Sequence, residues 1–257
     1  SRLDTYFADN RSRTLADWTR LLAFPSISSD PERIADCRAC AEWLAGRLEA
    51  LGFRAALHET ATKPVVFAER SGRPEAPTVL FYGHYDVQPV DPLEAWQSPP
   101  FEPTWRGERL YARGAQDNKG QLSYVLAALQ ALQELDAGLP PLKIVIEGEE
   151  ECGSTGLAAN LETWAEQLRA GVLMVCDTDT VRSGAPTLVM GLRGIVGLSL
   201  DLSGPSHDLH SGLHGGLAPN VAQAMARIVA SLHDGDGRVA VDGFYDGVTP
   251  PSDTERR

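Results

Sequence analysis

The chain has 257 residues, 43% of them hydrophobic, enough for one large domain or two smaller ones. Asp and Glu number 35 against 23 Lys and Arg, a formal charge of −12, which argues against nucleic acid, whose affinity comes largely from Lys and Arg on phosphates. No apolar run reaches the roughly 18 residues of a membrane span, the opening SRLDTYFADNRSRT is too polar for a secretory signal, and four cysteines in so long a chain fit a reducing cytoplasm better than a disulfide framework.

From Ala35 to Leu51 apolar residues fall at Cys40, Trp43, Leu44, Leu48 and Leu51, the spacing of an amphipathic helix that Gly52 stops. Cys37 and Cys40 form a C-x-x-C inside this pattern with no second pair, and read as helix packing rather than a zinc or redox motif. PVVFAE and TVLFYG read as strands. A second helix follows, with Leu122, Val125, Leu126, Leu129, Leu132 and Leu135 on one face, ended by Gly138-Leu139-Pro140-Pro141. LKIVIEG and GVLMVC are two more strands. Apolar strands between helical segments predict an α/β fold, a mostly parallel sheet with helices on both faces. A second region begins near Gly191: IVGLSLDLSG alternates in part like a half-exposed strand, and LAPNVAQAMARIVASL reads as a helix. One strand and one helix cannot bury both their faces, so this region is expected to be an incomplete α+β domain.

Three of the predicted strands run into metal-competent side chains. TVLFYG leads to His84 and Asp86, LKIVIEG to Glu149, Glu150 and Glu151, and GVLMVC to Asp177 and Asp179. Asp117 lies just before the second helix. Each cluster alone has a plainer reading: an ordinary histidine, a solvated acidic loop, turn residues, a helix N-cap. Together they sit where open α/β sheets gather ligands, beyond the carboxyl ends of the strands. His84 and Asp86, two apart on an extended segment, share a side, so the carboxylate can take the proton of one ring nitrogen and leave the other for a metal. Nitrogen with carboxylate oxygen suits zinc, or manganese as a harder alternative. Competing schemes are absent: no H-E-x-x-H, no G-x-x-x-x-G-K-[ST], no G-x-S-x-G after a strand. DTDTVRSG fails as a calcium loop because Val181 and Arg182 stand where an acid and a glycine belong.

In order, GHYDVQP, GAQDNKG, EGEEECGS, CDTD followed by GLRG, and DLHSGLHGG resemble the co-catalytic di-zinc exopeptidases, the family of carnosinase-type dipeptidases, carboxypeptidase G, aminoacylase and succinyl-diaminopimelate desuccinylase. DVQPVDPLEAWQSPPFEP and DLHSG are most similar to the dipeptidase branch. The resemblance runs from Leu15 to Tyr245. It implies the N-terminal part of a zinc exopeptidase-like catalytic domain over residues 1–191 and the beginning of a lid and dimerisation domain over 192–257. It also implies two divalent ions, zinc first with manganese or cobalt as alternatives. His84 and Asp177 would be ligands of the first ion, Asp117 the carboxylate bridging both, with a cis peptide bond after it, and Glu151 a ligand of the second. Asp86 would orient His84, Glu150 would be the general base, and Glu149 the solvated member of the run. His210 would contact substrate in a partner subunit's site, across a homodimer. The implied reaction is hydrolysis of the peptide bond of a dipeptide or small peptide by metal-activated water. The alternatives are an N-acyl amino acid deacylase, a carboxypeptidase, or a truncated relic that only dimerises. The family pattern requires one more histidine for the second ion. His58, His207, His214 and His233 stand in no matching context, so the chain is expected to lack a C-terminal part.

Overall fold

A computed structural model describes residues 1–178, 187–189 and 191–256, which divide into two compact units, residues 1–189 and 190–257. The first unit opens with helices α1 (Arg2–Asp9), α2 (Arg11–Leu22) and α3 (Ile34–Ala50). Strands β1 (Arg54–His58), β2 (Val65–Arg70) and β3 (Val79–His84) follow, then a small hairpin of β4 (Thr104–Arg106) and β5 (Arg109–Tyr111). Helix α4 (Lys119–Glu134), strand β6 (Leu142–Glu147), helix α5 (Thr155–Leu168) and strand β7 (Val172–Val175) complete it. The second unit holds α6 (Ser211–His214) and α7 (Val221–Ser231).

The main sheet has five strands in the order β1-β2-β6-β3-β7. β3 pairs parallel with both β6 and β7, while β2 runs antiparallel to both β1 and β6. Alternation along β2 divides the core between the faces. Val66 and Ala68 join α3 (Cys37, Cys40, Leu44, Leu48) and α4 (Leu122, Leu126, Leu129) on one side. Val65 and Phe67 join Leu157, Trp164 and Leu168 of α5 on the other. Cys37 and Cys40 are buried free thiols in that helix packing, and burial pushes the Cys37 thiol up to about 12. β7 departs from the expectation of a covered strand: it lies at the sheet edge, exposed along its length from Val172 to Val175. No helix among the described residues is long and apolar enough to cross a membrane.

One predicted element is corrected. IVGLSLDLSG (195–204) forms no strand. Alternation specifies a strand only where a neighbour takes up the backbone N–H and C=O groups. Among the described residues no strand pairs with this segment, and Ile195 and Leu198 are exposed.

Candidate metal centre

Strand register delivers the site. In the β3–β6 pairing His84 stands opposite Glu147, so the glutamate run emerges beside His84. In the β3–β7 pairing Tyr82 stands opposite Val175, so the chain after β7 carries Asp177 to the same end. Asp117 enters at the start of α4, after Gly114, whose φ of +76° suits the turn before it. The Asp117–Asn118 peptide is cis. His84, Asp117 and Asp177 each offer a ligand atom, all within 4.8 Å of one another.

His84 is fully buried. Its Nδ1 lies 3.1 Å from Asp86 Oδ1, and its Nε2 lies 3.1 Å from Asp117 Oδ1 and 3.6 Å from Asp177 Oδ2. The buried Asp86 does more than orient this ring. It also accepts the Glu150 N–H on Oδ1 and the Glu151 N–H on Oδ2, each at 3.2 Å, and so holds the glutamate turn against β3. Burial opposes a charged His84, but the Asp86 hydrogen bond and the carboxylates of Asp86, Asp177 and Glu150 outweigh it and raise the pKa to about 9. A metal ion must displace that proton from the imidazole. Zinc uptake at pH 7 is therefore expected to release a proton from His84 and to strengthen as pH rises toward 9; calorimetry in buffers of different ionisation enthalpy reads it, and uptake with no proton release would contradict it.

The three consecutive glutamates separate. Glu149 is not the solvated one: it is only 6% exposed, and its Oε2 accepts the Thr62 hydroxyl and, at 2.9 Å, the Gly156 N–H at the start of α5. A Cβ at Gly156 would stand 2.5 Å from that oxygen, so the glycine makes room for the carboxylate. Glu149→Ala is expected to destabilise the fold by about 1–3 kcal/mol, the cost of stranding the buried Gly156 N–H, with zinc affinity unchanged; urea unfolding and zinc titration check the two halves. Glu150, its side chain 40% exposed, points its Oε2 to within 3.9 Å of His84 Nε2. Burial raises its pKa, His84 pulls it back, and Asp177 and Glu151 lift it again. Glu151 stands outside the three-ligand group, and its Oε2 accepts the Gln88 amide at 2.7 Å. Beside Asp117 and Glu151 opens a cleft of about 540 Å³, walled by Trp96, Tyr111 and Arg113.

His210 belongs to the second unit, where its Nδ1 accepts the Gly212 N–H at 3.0 Å and caps α6. Asp179 lies outside the described residues. Sequence reasoning passed over Gln88 and Asn118, both uncharged.

The donor set fits a divalent ion. One imidazole nitrogen is fixed by a buried carboxylate, its other nitrogen faces two carboxylates from different elements, and the donors are nitrogen and oxygen.

Comparison with known proteins agrees with this chemistry. The model of peptidase family M20/M25/M40 matches residues 80–254. The cysteinylglycine-S-conjugate dipeptidase of Corynebacterium striatum is 35% identical over 236 residues, 91% of this chain and 52% of that protein. The human beta-Ala-His dipeptidase is 34% identical over 195 residues, 75% of this chain and 38% of that protein. The chain thus spans about half the length, or less, of these relatives. Among solved structures, an M20 family metallo-carboxypeptidase from Sulfolobus solfataricus superposes with a TM-score of 0.76 at 35% identity, over 95% of this chain and 55% of that one.

Proposed function

Because this chain belongs to peptidase family M20/M25/M40, we propose that it carries the metal-binding half of a dipeptidase active site and hydrolyses the peptide bond of dipeptides or small peptides. The observation that carries this reading is the meeting of His84, Asp117 and Asp177 within 4.8 Å, with the second nitrogen of His84 held by buried Asp86. His84, Asp117 and Asp177 would hold one divalent ion, and Asp117 with Glu151 would contribute to a second, zinc in both places. When bound, such ions supply Lewis acidity toward a scissile carbonyl and toward water. Asp86 keeps the His84 ring in one orientation and one tautomer. Glu150 takes the proton of the attacking water on its carboxylate and returns it to the leaving amine nitrogen. Burial raises the Glu150 pKa, so its carboxylate is a stronger base than an ordinary glutamate and holds the proton nearer neutrality.

The cleft of about 540 Å³ beside Asp117 and Glu151 suits a small substrate rather than a folded protein. His210 is proposed to reach substrate in the site of a second subunit of a homodimer, and the setting is proposed to be cytoplasmic. A second reading, carboxypeptidase action on longer peptides, is favoured by the 35% identity to the archaeal metallo-carboxypeptidase. Incubating the chain with Cys-Gly, β-Ala-His and a blocked tripeptide, with zinc or manganese, separates these readings. Dipeptide cleavage abolished by a chelator is expected. Cleavage of the tripeptide alone would favour the carboxypeptidase, and no cleavage of any substrate by a chain that binds zinc would favour the non-catalytic alternative.

A further inference from the structure

Asn118 is fully buried between the end of β3 and the residues after β7. Its Oδ1 accepts the His84 backbone N–H at 3.2 Å. Its Nδ2 donates to the Cys176 carbonyl at 2.8 Å and to Asp177 Oδ1 at 2.9 Å. One side of the amide therefore meets a donor and the other meets two acceptors, so the group fits in one orientation only. The bond to Oδ1 of Asp177 leaves Oδ2 as the oxygen that faces His84 Nε2, 3.6 Å away. Asn118 also occupies the cap position of α4, yet its side chain makes no capping bond to that helix. Helix capping does not account for it. Gly83 leaves it room: a Cβ there would stand 2.8 Å from Asn118 Oδ1.

We propose that Asn118 is a positioning residue of the metal centre, resting on the metal reading above. It selects the Asp177 oxygen offered to the ion and ties the spacing between Asp177 and His84, while the adjoining residue supplies the carboxylate between them. Asparagine meets this requirement because it carries two donors and an acceptor on one short side chain. Aspartate has the same shape but would set oxygen against the Asp177 carboxylate and the Cys176 carbonyl.

Zinc affinity, measured by competition with a chromophoric chelator, tests the proposal without any assay of turnover. Asn118→Ala and Asn118→Asp are each expected to weaken zinc binding by about 10- to 100-fold, the range for groups that orient ligands. In an Asp177→Ala background, where the carboxylate that Asn118 orients is gone, Asn118→Ala is expected to cost less than about 2-fold, since coupled residues are not additive. Unchanged affinity in a folded Asn118 variant would overturn the proposal. So would equal losses with and without Asp177, which would mean that Asn118 acts through the fold. The Asp variant carries the comparison if the Ala variant fails to fold. A wild-type chain that binds no zinc would remove the metal reading and this inference together, whereas zinc bound equally by all the Asn118 variants would remove this inference alone.

Discussion

Glu150→Gln is expected to lower kcat for dipeptide hydrolysis by about 100- to 10,000-fold, the range for losing a positioned general base, while zinc content and unfolding midpoint stay as in the wild type. The side chain is 40% exposed, so the amide is accommodated without repacking. The backbone N–H of residue 150 still reaches Asp86 in the variant, so the turn keeps its place. Glutamine retains the size of glutamate but loses its negative charge and its ability to take up a proton. Steady-state kinetics beside a zinc determination separates the roles. Near wild-type kcat would take Glu150 out of the proton transfer and return attention to Glu151.

The second large effect falls on Asp117. Asp117→Ala is expected to weaken zinc binding by at least about 100-fold, the upper end of the range for groups that merely support a ligand. Its carboxylate is 3.1 Å from His84 Nε2 and 64% exposed at the side chain, so its removal strips the centre of a donor without opening a hole in the core. Circular dichroism should be unaltered. Calorimetric titration showing wild-type affinity would mean that Asp117 is not a ligand.

Much of this centre is legible in the sequence because strands β3, β6 and β7 are apolar runs that end abruptly in polar residues. Once the sheet is assumed, parallel pairing alone aligns His84, the glutamate run and Asp177. The His84–Asp86 contact follows from a two-residue step on extended chain. The division of labour among Glu149, Glu150 and Glu151 is not legible, because the residues are identical and their fates depend on Thr62, Gly156 and Asp86, distant in sequence or on another element. Asn118 escaped attention because a search for charge and metal donors does not weigh an amide whose partners arrive from β3 and β7. Helix α5 had a signal that was overlooked: Leu157, Leu161, Trp164 and Leu168 recur at helical spacing. The segment 195–204 failed for the opposite reason, since its alternation is real but a strand needs a partner that its own sequence cannot specify.

Zinc bound per purified chain, determined by elemental analysis after dialysis, bears on the whole arrangement. At least one equivalent is expected, and it should be lost in His84→Ala, which removes the nitrogen donor of the three-residue group. A folded wild-type chain with no zinc, or one whose zinc survives the loss of His84, would contradict a metal centre built on the ends of these three strands.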